Sequence, residues 1–176
     1  MSLFSNVEGG TLSSDDSIAL PPSSRAVKSR NGAYHFRVHT TDSWRSPFPL
    51  GTLSTSSANG QNVRWQRRLP QHYGPRFMVV TPSGDVVLLD SWLNGKPVHA
   101  VSILNNRNGS LVNFSYEDVL RSLGLSSAML AERARFGSWW ITAKPSLDSS
   151  GNLVLIPAGG KTLVVNAMKA TINVKP

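Results

Sequence analysis

Short apolar runs separated by turn residues are the feature that most constrains what this chain can fold into. The runs RFMVVT and VVLLDSWL flank the turn residues 82–85, and the Asn-Gly pair at 94–95 leads into PVHAVSIL. Two apolar runs joined by a short glycine-containing turn predict a β-hairpin. Further runs are SLVNF (110–114), WWITAK (139–144), NLVLI (152–156), TLVVNA (162–167) and KATINV (169–174). The pattern therefore predicts about nine strands.

The segment AYHFRVHTT, residues 33–41, alternates apolar and basic side chains with period two. This alternation predicts an antiparallel strand with an apolar face and a basic face. The basic face has two open interpretations, an ordinary polar surface or a His-Arg-His row that faces phosphate. A metal ion shared by His35 and His39 is excluded, because residues four apart on a strand lie roughly 13 Å apart.

The segment FSYEDVLRSLGLSSAMLAERARFG predicts two short helices around residues 116–136. Ser115 and Asp118 have the spacing of a capping box, and Gly124 has the position of a helix C-terminal stop. Ser126 or Ser127 would cap a second helix that ends at Gly137. Together with the strands, these helices predict a β-rich α+β fold. We expect antiparallel sheets packed in two layers, sandwich-like, with the helices at one end.

The N-terminal residues differ in composition from the rest of the chain. Residues 1–32 hold few large apolar side chains and are rich in Ser, Gly and Asp, and their three acids balance three bases. This composition predicts a flexible N-terminal arm over residues 1–32, which can order on assembly, followed by a single β-rich domain over residues 33–176.

The charge of the chain points to an anionic partner. Lys and Arg together number 18 against 10 acidic residues, for a net charge of +8, and there is no cysteine. A basic balance of this size is typical of proteins that bind nucleic acid or anionic surfaces. The absence of cysteine fits a reducing compartment. Because no secretory signal or apolar spanning segment is visible, we expect a cytoplasmic protein that is neither secreted nor transmembrane.

More than half of the excess charge lies in residues 33–77, which carry six arginines against one acid, Asp42. Such focusing favours a binding surface over a scattered solvated charge. Phosphate contacts from these arginines would give sequence-independent, salt-dependent affinity, and the aromatic residues among them could stack on bases. The predicted site residues for nucleic acid or an anionic surface are Arg37, Arg45, Arg64, Trp65, Arg67, Arg68, Tyr73 and Arg76.

No catalytic motif is recognisable in the sequence. AGGKT, residues 158–162, resembles the end of a phosphate-binding P-loop, but Leu155 stands where that motif requires glycine. No G-x-S-x-G nucleophile motif exists, and the histidines and acids show no spacing that catalysis or metal binding requires. The sequence therefore predicts a non-enzymatic protein without a cofactor or a metal site.

The segments ALPPSSRAVKSR and YHFRVH, the cysteine-free basic β domain and the overall length together resemble a viral family. The layout is similar to that of the small matrix proteins of plant-infecting rhabdoviruses, or of another small viral matrix or coat protein. The resemblance implies a structural protein of the virion that self-associates and contacts both nucleoprotein and an anionic membrane surface. On this interpretation the protein is a homo-oligomeric assembly protein that binds RNA.

Two other functions stay open on weaker resemblances. The phrases PSGDVVLLD, RNGSLVNFS and SSGNLVLIP resemble the repeated sugar-binding strand of bulb-type mannose lectins, although most of the polar ligands of that strand are missing. The helical segment resembles a helix-turn-helix nucleic-acid binder, but Leu120 and Arg133 depart from its pattern. The matching positions there are Val119, Leu123, Gly124, Leu125 and Leu130.

Overall fold

The computed structural model describes residues 19–58, 60–93, 95–134 and 139–175, and these residues form three antiparallel sheets and two α-helices. Each sheet has four strands, and within a sheet the strands pair in the order in which they follow one another along the chain. The β-rich α+β class, the antiparallel sheets and the two short helices are confirmed. The described residues contain twelve strands rather than about nine, and they form three sheets where two layers were expected.

The strands are numbered in chain order. The N-terminal sheet holds β1 (Ser24–Lys28), β2 (Tyr34–His39), β3 (Leu50–Ser57) and β4 (Gly60–Arg68). The middle sheet holds β5 (Pro75–Val80), β6 (Val86–Ser91), β7 (Val101–Leu104) and β8 (Leu111–Phe114). The helices α1 (Tyr116–Leu123) and α2 (Ser127–Ala134) follow, and the C-terminal sheet holds β9 (Ser146–Leu147), β10 (Leu153–Ala158), β11 (Lys161–Asn166) and β12 (Thr171–Lys175).

The middle sheet is covered on both faces, and β6 shows this most clearly. Val86 and Leu88 belong to a core shared with the N-terminal sheet, whereas Val87 and Leu89 belong to a second core shared with the helices and the C-terminal sheet. Because neighbouring residues on a strand face opposite sides, a strand buried on both faces is a continuous apolar run. This is why VVLL shows no alternation.

The core between the N-terminal and middle sheets confirms the alternation predicted for β2. Phe36 and Val38 are buried, while Arg37 between them is exposed. Leu53 on β3 and Trp65 on β4 complete the N-terminal side of this core. The polar side chains of β2 therefore lie on the opposite, outer face of the N-terminal sheet.

The helices begin and end as the sequence predicts where they are described. Ser115 caps α1 through a complete capping box with Asp118, and Gly124 adopts a left-handed conformation at the C-terminus. The predicted end of the second helix at Gly137 lies outside the described residues. Lys161 on β11 donates from Nζ to the carbonyl oxygen of Leu123 at 2.6 Å, which satisfies one of the free carbonyl groups at the end of α1.

The strand predicted at WWITAK does not form, so that prediction is wrong. Residues 139–144 have no regular structure, because both tryptophans are held by side-chain packing rather than by a β ladder. Trp140 is fully buried in the second core. The indole of Trp139 stacks on Tyr116 with ring centroids 5.7 Å apart, and its Nε1 donates to the carboxylate of Asp90 at 2.8 Å.

The expected N-terminal arm overlaps the fold. Residues 1–18 lie outside the described residues, but residues 24–28 form β1, which pairs with β2 over five residues. Arg25 donates from its guanidinium to the carbonyl oxygens of Pro75 and Arg76 at 2.7 and 2.9 Å. This part of the segment 1–32 is therefore joined to the middle sheet.

The same turn joins the first two strands of each sheet. An N–H three residues along donates to the first carbonyl oxygen of the turn, in the pairs Gly32–Ser29, Gly84–Thr81 and Gly151–Asp148. The phrases PSGDVVLLD and SSGNLVLIP occupy equivalent turns, whereas RNGSLVNFS contains the turn between β7 and β8. Residues of β1, β5 and β9 together line a cavity of about 420 Å³. β-Propellers are likewise built from consecutive four-stranded meanders, called blades, which surround a central channel.

Candidate anion-binding face

The outer face of the N-terminal sheet collects polar and basic side chains from all four of its strands. The strand register places them in three rows across the sheet. The rows are Lys28–His35–Ser54–Val63, Ala26–Arg37–Thr52–Gln66 and Ser24–His39–Leu50–Arg68. We call this surface the basic face.

A groove of about 380 Å³ runs over the basic face. It is lined by His35, Arg37, His39, Thr52, Ser54, Gln61, Val63 and Gln66. None of these lining residues is acidic and none is aromatic apart from the two imidazoles. Because the apolar side chains of β2 point inward, its alternate polar and basic side chains point outward. They give the groove hydrogen-bond donors and positive charge.

Arg37 lies at the centre of the groove. Its Nε donates to the Ser24 hydroxyl at 2.9 Å, which holds the side chain across β1. Beside it in the same row, Gln66 donates from Nε2 to Thr52 Oγ1 at 2.9 Å. Within the described part of the chain, the two terminal amino groups of Arg37 have no hydrogen-bond partner. They are available for the bidentate contact that guanidinium groups make with phosphate.

The two histidines of the groove are electrostatically coupled to their basic neighbours. Partial burial lowers the pKa of His35, and the charges of Lys28 and Arg37 lower it further. Burial likewise lowers the pKa of His39, with a smaller contribution from Arg37. Both imidazoles are therefore neutral at physiological pH in the free protein. A bound anion would have the opposite effect to the nearby cations and raise the pKa of each histidine.

Three more of the arginines predicted from the sequence are exposed on the N-terminal sheet or its connections. Arg68 is exposed at the end of the third row and donates from Nη1 to the carbonyl oxygen of Phe48 at 3.1 Å. Arg64 is exposed at a bulge, where the register between β3 and β4 shifts and leaves it without a partner residue on β3. Arg45 is exposed in the connection between β2 and β3.

The two aromatic residues predicted to stack on bases pack inside the protein instead. Trp65 is only 8% exposed and packs against Phe36, with ring centroids 5.8 Å apart. Tyr73 is half-buried and packs against Trp44 with centroids 5.9 Å apart. Neither ring belongs to the basic face, so the structure does not bring these two residues together with Arg37.

The remaining two predicted arginines contact the middle sheet. Arg67 points to the inner side of β4 and donates from Nη1 to the carbonyl oxygen of Gly109, in the turn between β7 and β8. Arg76 lies half-buried on β5, where its charge acts on the carboxylate of Asp90. Neither side chain faces the groove.

Among the described carboxyl groups, Asp90 is the one whose pKa its surroundings change most. It is fully buried, has a positive φ of 59°, and accepts from Trp139 Nε1 and from the Ser91 N–H. Burial raises its pKa from 3.8 to about 6, against a smaller opposing effect of those hydrogen bonds and of Arg76. It contacts none of the groove residues, so it has a structural place between the middle sheet and Trp139.

The contribution of β3 and β4 to the groove was not predicted from the sequence. Half-buried Thr52 and buried Ser54 on β3 line the groove, while the alternate residues Gly51 and Leu53 belong to the interior. The signal was the alternation in LGTLS, which is weak because one of its inward residues is a glycine.

Comparisons with protein families and with curated proteins identify no relatives. No protein-family model matches the chain, and no curated protein matches it significantly. The resemblances to viral matrix proteins, lectins and helix-turn-helix proteins therefore stay predictions.

The described residues contain no group of three or more His, Asp or Glu residues arranged to hold a metal ion. Neither of the helices described has the length and apolar character required to cross a membrane.

Proposed function

We propose that this protein is a non-enzymatic RNA-binding protein that holds the phosphate backbone on its basic face. The observation that carries the proposal is the three-row arrangement, which gathers Arg37, Arg68 and Lys28 around a groove lined without a carboxylate. His35 and His39, in the first and third rows, add two imidazoles that can become positively charged next to phosphate. Along β2 the groove extends roughly 13 Å from His35 to His39.

The groove contains no aromatic side chain other than imidazole, so its contacts are with phosphate rather than with base faces. Contacts of this kind give affinity without sequence preference and make that affinity strongly salt-dependent. With Lys28, Arg37, Arg64 and Arg68 as donors, about three to four phosphates would be neutralised. The logarithm of the association constant is then expected to fall with the logarithm of salt concentration, with a slope of about −2 to −3.

The test replaces three exposed cations at the groove and compares them with three exposed cations elsewhere. The variant Arg37→Gln/Arg64→Gln/Arg68→Gln is expected to bind a labelled 12-nucleotide RNA about tenfold or more weakly in fluorescence anisotropy. The control Arg107→Gln/Lys169→Gln/Lys175→Gln removes the same charge from the other two sheets. A similar loss of affinity in both variants, or no loss in the first, would contradict the proposal.

Self-association, contact with an anionic membrane and a cytoplasmic location are further parts of this proposal. Light scattering with and without RNA measures the first. Sedimentation with vesicles that contain phosphatidylserine measures the second, and the groove variant is expected to lose vesicle binding if the basic face is the membrane contact. A monomer that is indifferent to RNA would instead favour the lectin interpretation.

A further inference from the structure

A cavity of about 520 Å³ lies next to one end of the basic face. Its wall includes Phe48 and Pro70, which stand two residues away from Leu50 and Arg68 of the third row. Arg68 contacts this wall directly, because its Nη1 donates to the Phe48 carbonyl oxygen at 3.1 Å. Arg68 therefore connects the third row of the basic face to the wall of the cavity.

The walls of the cavity combine a large apolar surface with a few polar groups. The lining residues are Phe48, Pro70, His72, Ser91, Leu93, Gly95, Lys96, Pro97, Val98 and His99. None of them is acidic. Its size and composition match those of sites that bind small, largely apolar ligand groups with a few hydrogen bonds.

Phe48 and His72 give the cavity an aromatic wall. Their rings make an edge-to-face contact with centroids 4.8 Å apart, which fixes both orientations. The Phe48 side chain is 40% exposed, and Val98 on another part of the wall is 70% exposed. Exposed apolar surface of this kind marks binding sites. A flat aromatic ligand is the class that it would bind, because such a ligand stacks on an exposed ring.

We propose that this cavity receives an unpaired base of the nucleic acid whose backbone lies on the basic face. The inference rests on the proposed function and names its ligand class as single-stranded nucleic acid. Arg68 holds the phosphate at the rim, and the attached base stacks on Phe48 and meets the nearly perpendicular ring of His72 at its edge. Ser91 and Lys96 then lie in the same cavity as hydrogen-bonding groups for the edge of the base.

A duplex fits this arrangement poorly, because its bases are already paired and stacked and must first be extruded. The groove and the cavity together extend roughly 20 Å, if Phe48 continues the spacing of the strand. A strand stacked as in a duplex, at about 3.4 Å per nucleotide, would place at most about six nucleotides along this length. The expected site size therefore lies in the lower part of the range of single-strand-binding domains.

Three probes with equal backbone charge per strand distinguish binding in the cavity from binding on the basic face. They are an eight-nucleotide uridylate RNA, an eight-unit abasic deoxyribose-phosphate strand, and an eight-base-pair RNA duplex compared per strand. We expect the wild-type protein to bind the uridylate about tenfold more tightly than the abasic strand, which is the size of effect that one stacked base supplies. The duplex is expected to bind no more tightly than the abasic strand.

Phe48→Ala is expected to remove most of the preference for uridylate while leaving the affinity for the abasic strand unchanged. His72→Ala, at an exposed position, provides a second variant in case the first disturbs the fold, which thermal melting would show. Met168→Ala removes an exposed apolar side chain of the C-terminal sheet and serves as the control.

Equal binding of uridylate and abasic strand by the wild-type protein would overturn the cavity inference and leave the proposed function standing. The same conclusion follows if both cavity variants bind all probes like the wild type. If no probe binds, the proposed function and the inference that rests on it fail together.

Discussion

The guanidinium of Arg67 donates to the carbonyl oxygen of Gly109 and so links the last strand of the N-terminal sheet to the turn between β7 and β8. Its neighbour Arg68 points to the opposite side of β4 and lies exposed at the end of the basic face. Two adjacent arginines of the same charged run therefore have different surroundings: Arg67 holds two sheets together, and Arg68 is the one to which the proposed function assigns a role in binding.

Replacing each of these arginines by glutamine separates the two tasks. Arg67→Gln is expected to lower the free energy of unfolding by about 1–2 kcal/mol, because a hydrogen bond from a charged donor is lost. Arg68→Gln is expected to leave unfolding in urea unchanged within about 0.5 kcal/mol and to weaken RNA binding. The reverse assignment of the two effects would show that the orientations of these side chains have been misjudged.

RNA binding is expected to strengthen as the pH falls from 7.5 to 5.5. The pKa of His35 and of His39 is lowered in the free protein by burial and by nearby cations. Phosphate bound in the groove favours the protonated imidazole, so the pKa of each histidine is higher in the complex and binding takes up protons. The association constant therefore rises as the pH falls toward the lower pKa of the free protein.

The pH effect is measured by repeating the anisotropy titrations at fixed ionic strength. The variant His35→Gln/His39→Gln keeps hydrogen-bonding groups in the groove and is expected to show a flatter profile over the same range. An equally steep profile in this variant would place the titrating groups elsewhere.

The buried carboxyl of Asp90 is expected to make the fold more stable in mild acid. The folded state raises the pKa of this group from 3.8 to about 6, so the folded protein retains a proton that the unfolded chain releases. The contribution to stability is fully present below about pH 4 and is lost as the pH rises through about 6. The shift corresponds to about 3 kcal/mol.

Asp90→Asn tests this contribution, because asparagine is neutral throughout and keeps an oxygen that can accept from Trp139 Nε1. The difference in unfolding free energy between wild type and variant, measured in urea at pH 4.5 and pH 7.5, is expected to move in favour of the wild type at the lower pH. A difference that does not change with pH would mean that Asp90 titrates near its ordinary pKa.

Alanine at the equivalent turn positions of two sheets is expected to have unequal effects. Gly32 and Gly84 both have a positive φ, of 71° and 90°. A Cβ at Gly32 would meet no atom within 4 Å, whereas a Cβ at Gly84 would lie 2.5 Å from the Tyr34 ring. We expect a loss of about 1 kcal/mol for Gly32→Ala, from backbone strain alone. Gly84→Ala is expected to lose at least about 1 kcal/mol more in thermal unfolding, because Tyr34 must move.

The sequence predicted those elements whose signals are local. The alternation of β2 and the capping box of α1 both depend on residues within a few positions of one another, and both are confirmed. The strand predicted at residues 139–144 was wrong, because Trp139 is held by the distant residues Tyr116 and Asp90. Contacts of that kind leave no periodic pattern in the sequence.

The faces of β4 could not be predicted for a related reason. In an uninterrupted strand Arg64 and Arg68 would lie on one face and Val63 on the other. The bulge at Arg64 changes this, so that Val63 pairs with Ser54 and lines the groove. Whether a strand is bulged depends on its partner strand. The concentration of charge in residues 33–77 was therefore visible in the sequence, while the division of its arginines between surface and interior was not.

The identities of the four aliphatic residues of β6 do not by themselves determine which of the two cores each side chain enters. A slip of one residue would exchange Val86 and Leu88 with Val87 and Leu89, and both cores would again receive one valine and one leucine. Burial of apolar surface hardly distinguishes these two registers. Asp85 and Asp90 at the ends of the run do distinguish them, because Asp85 accepts from the Asn106 N–H and Asp90 from Trp139. Two carboxylates at the ends of the run, rather than the hydrophobic residues between them, therefore specify the register of this strand.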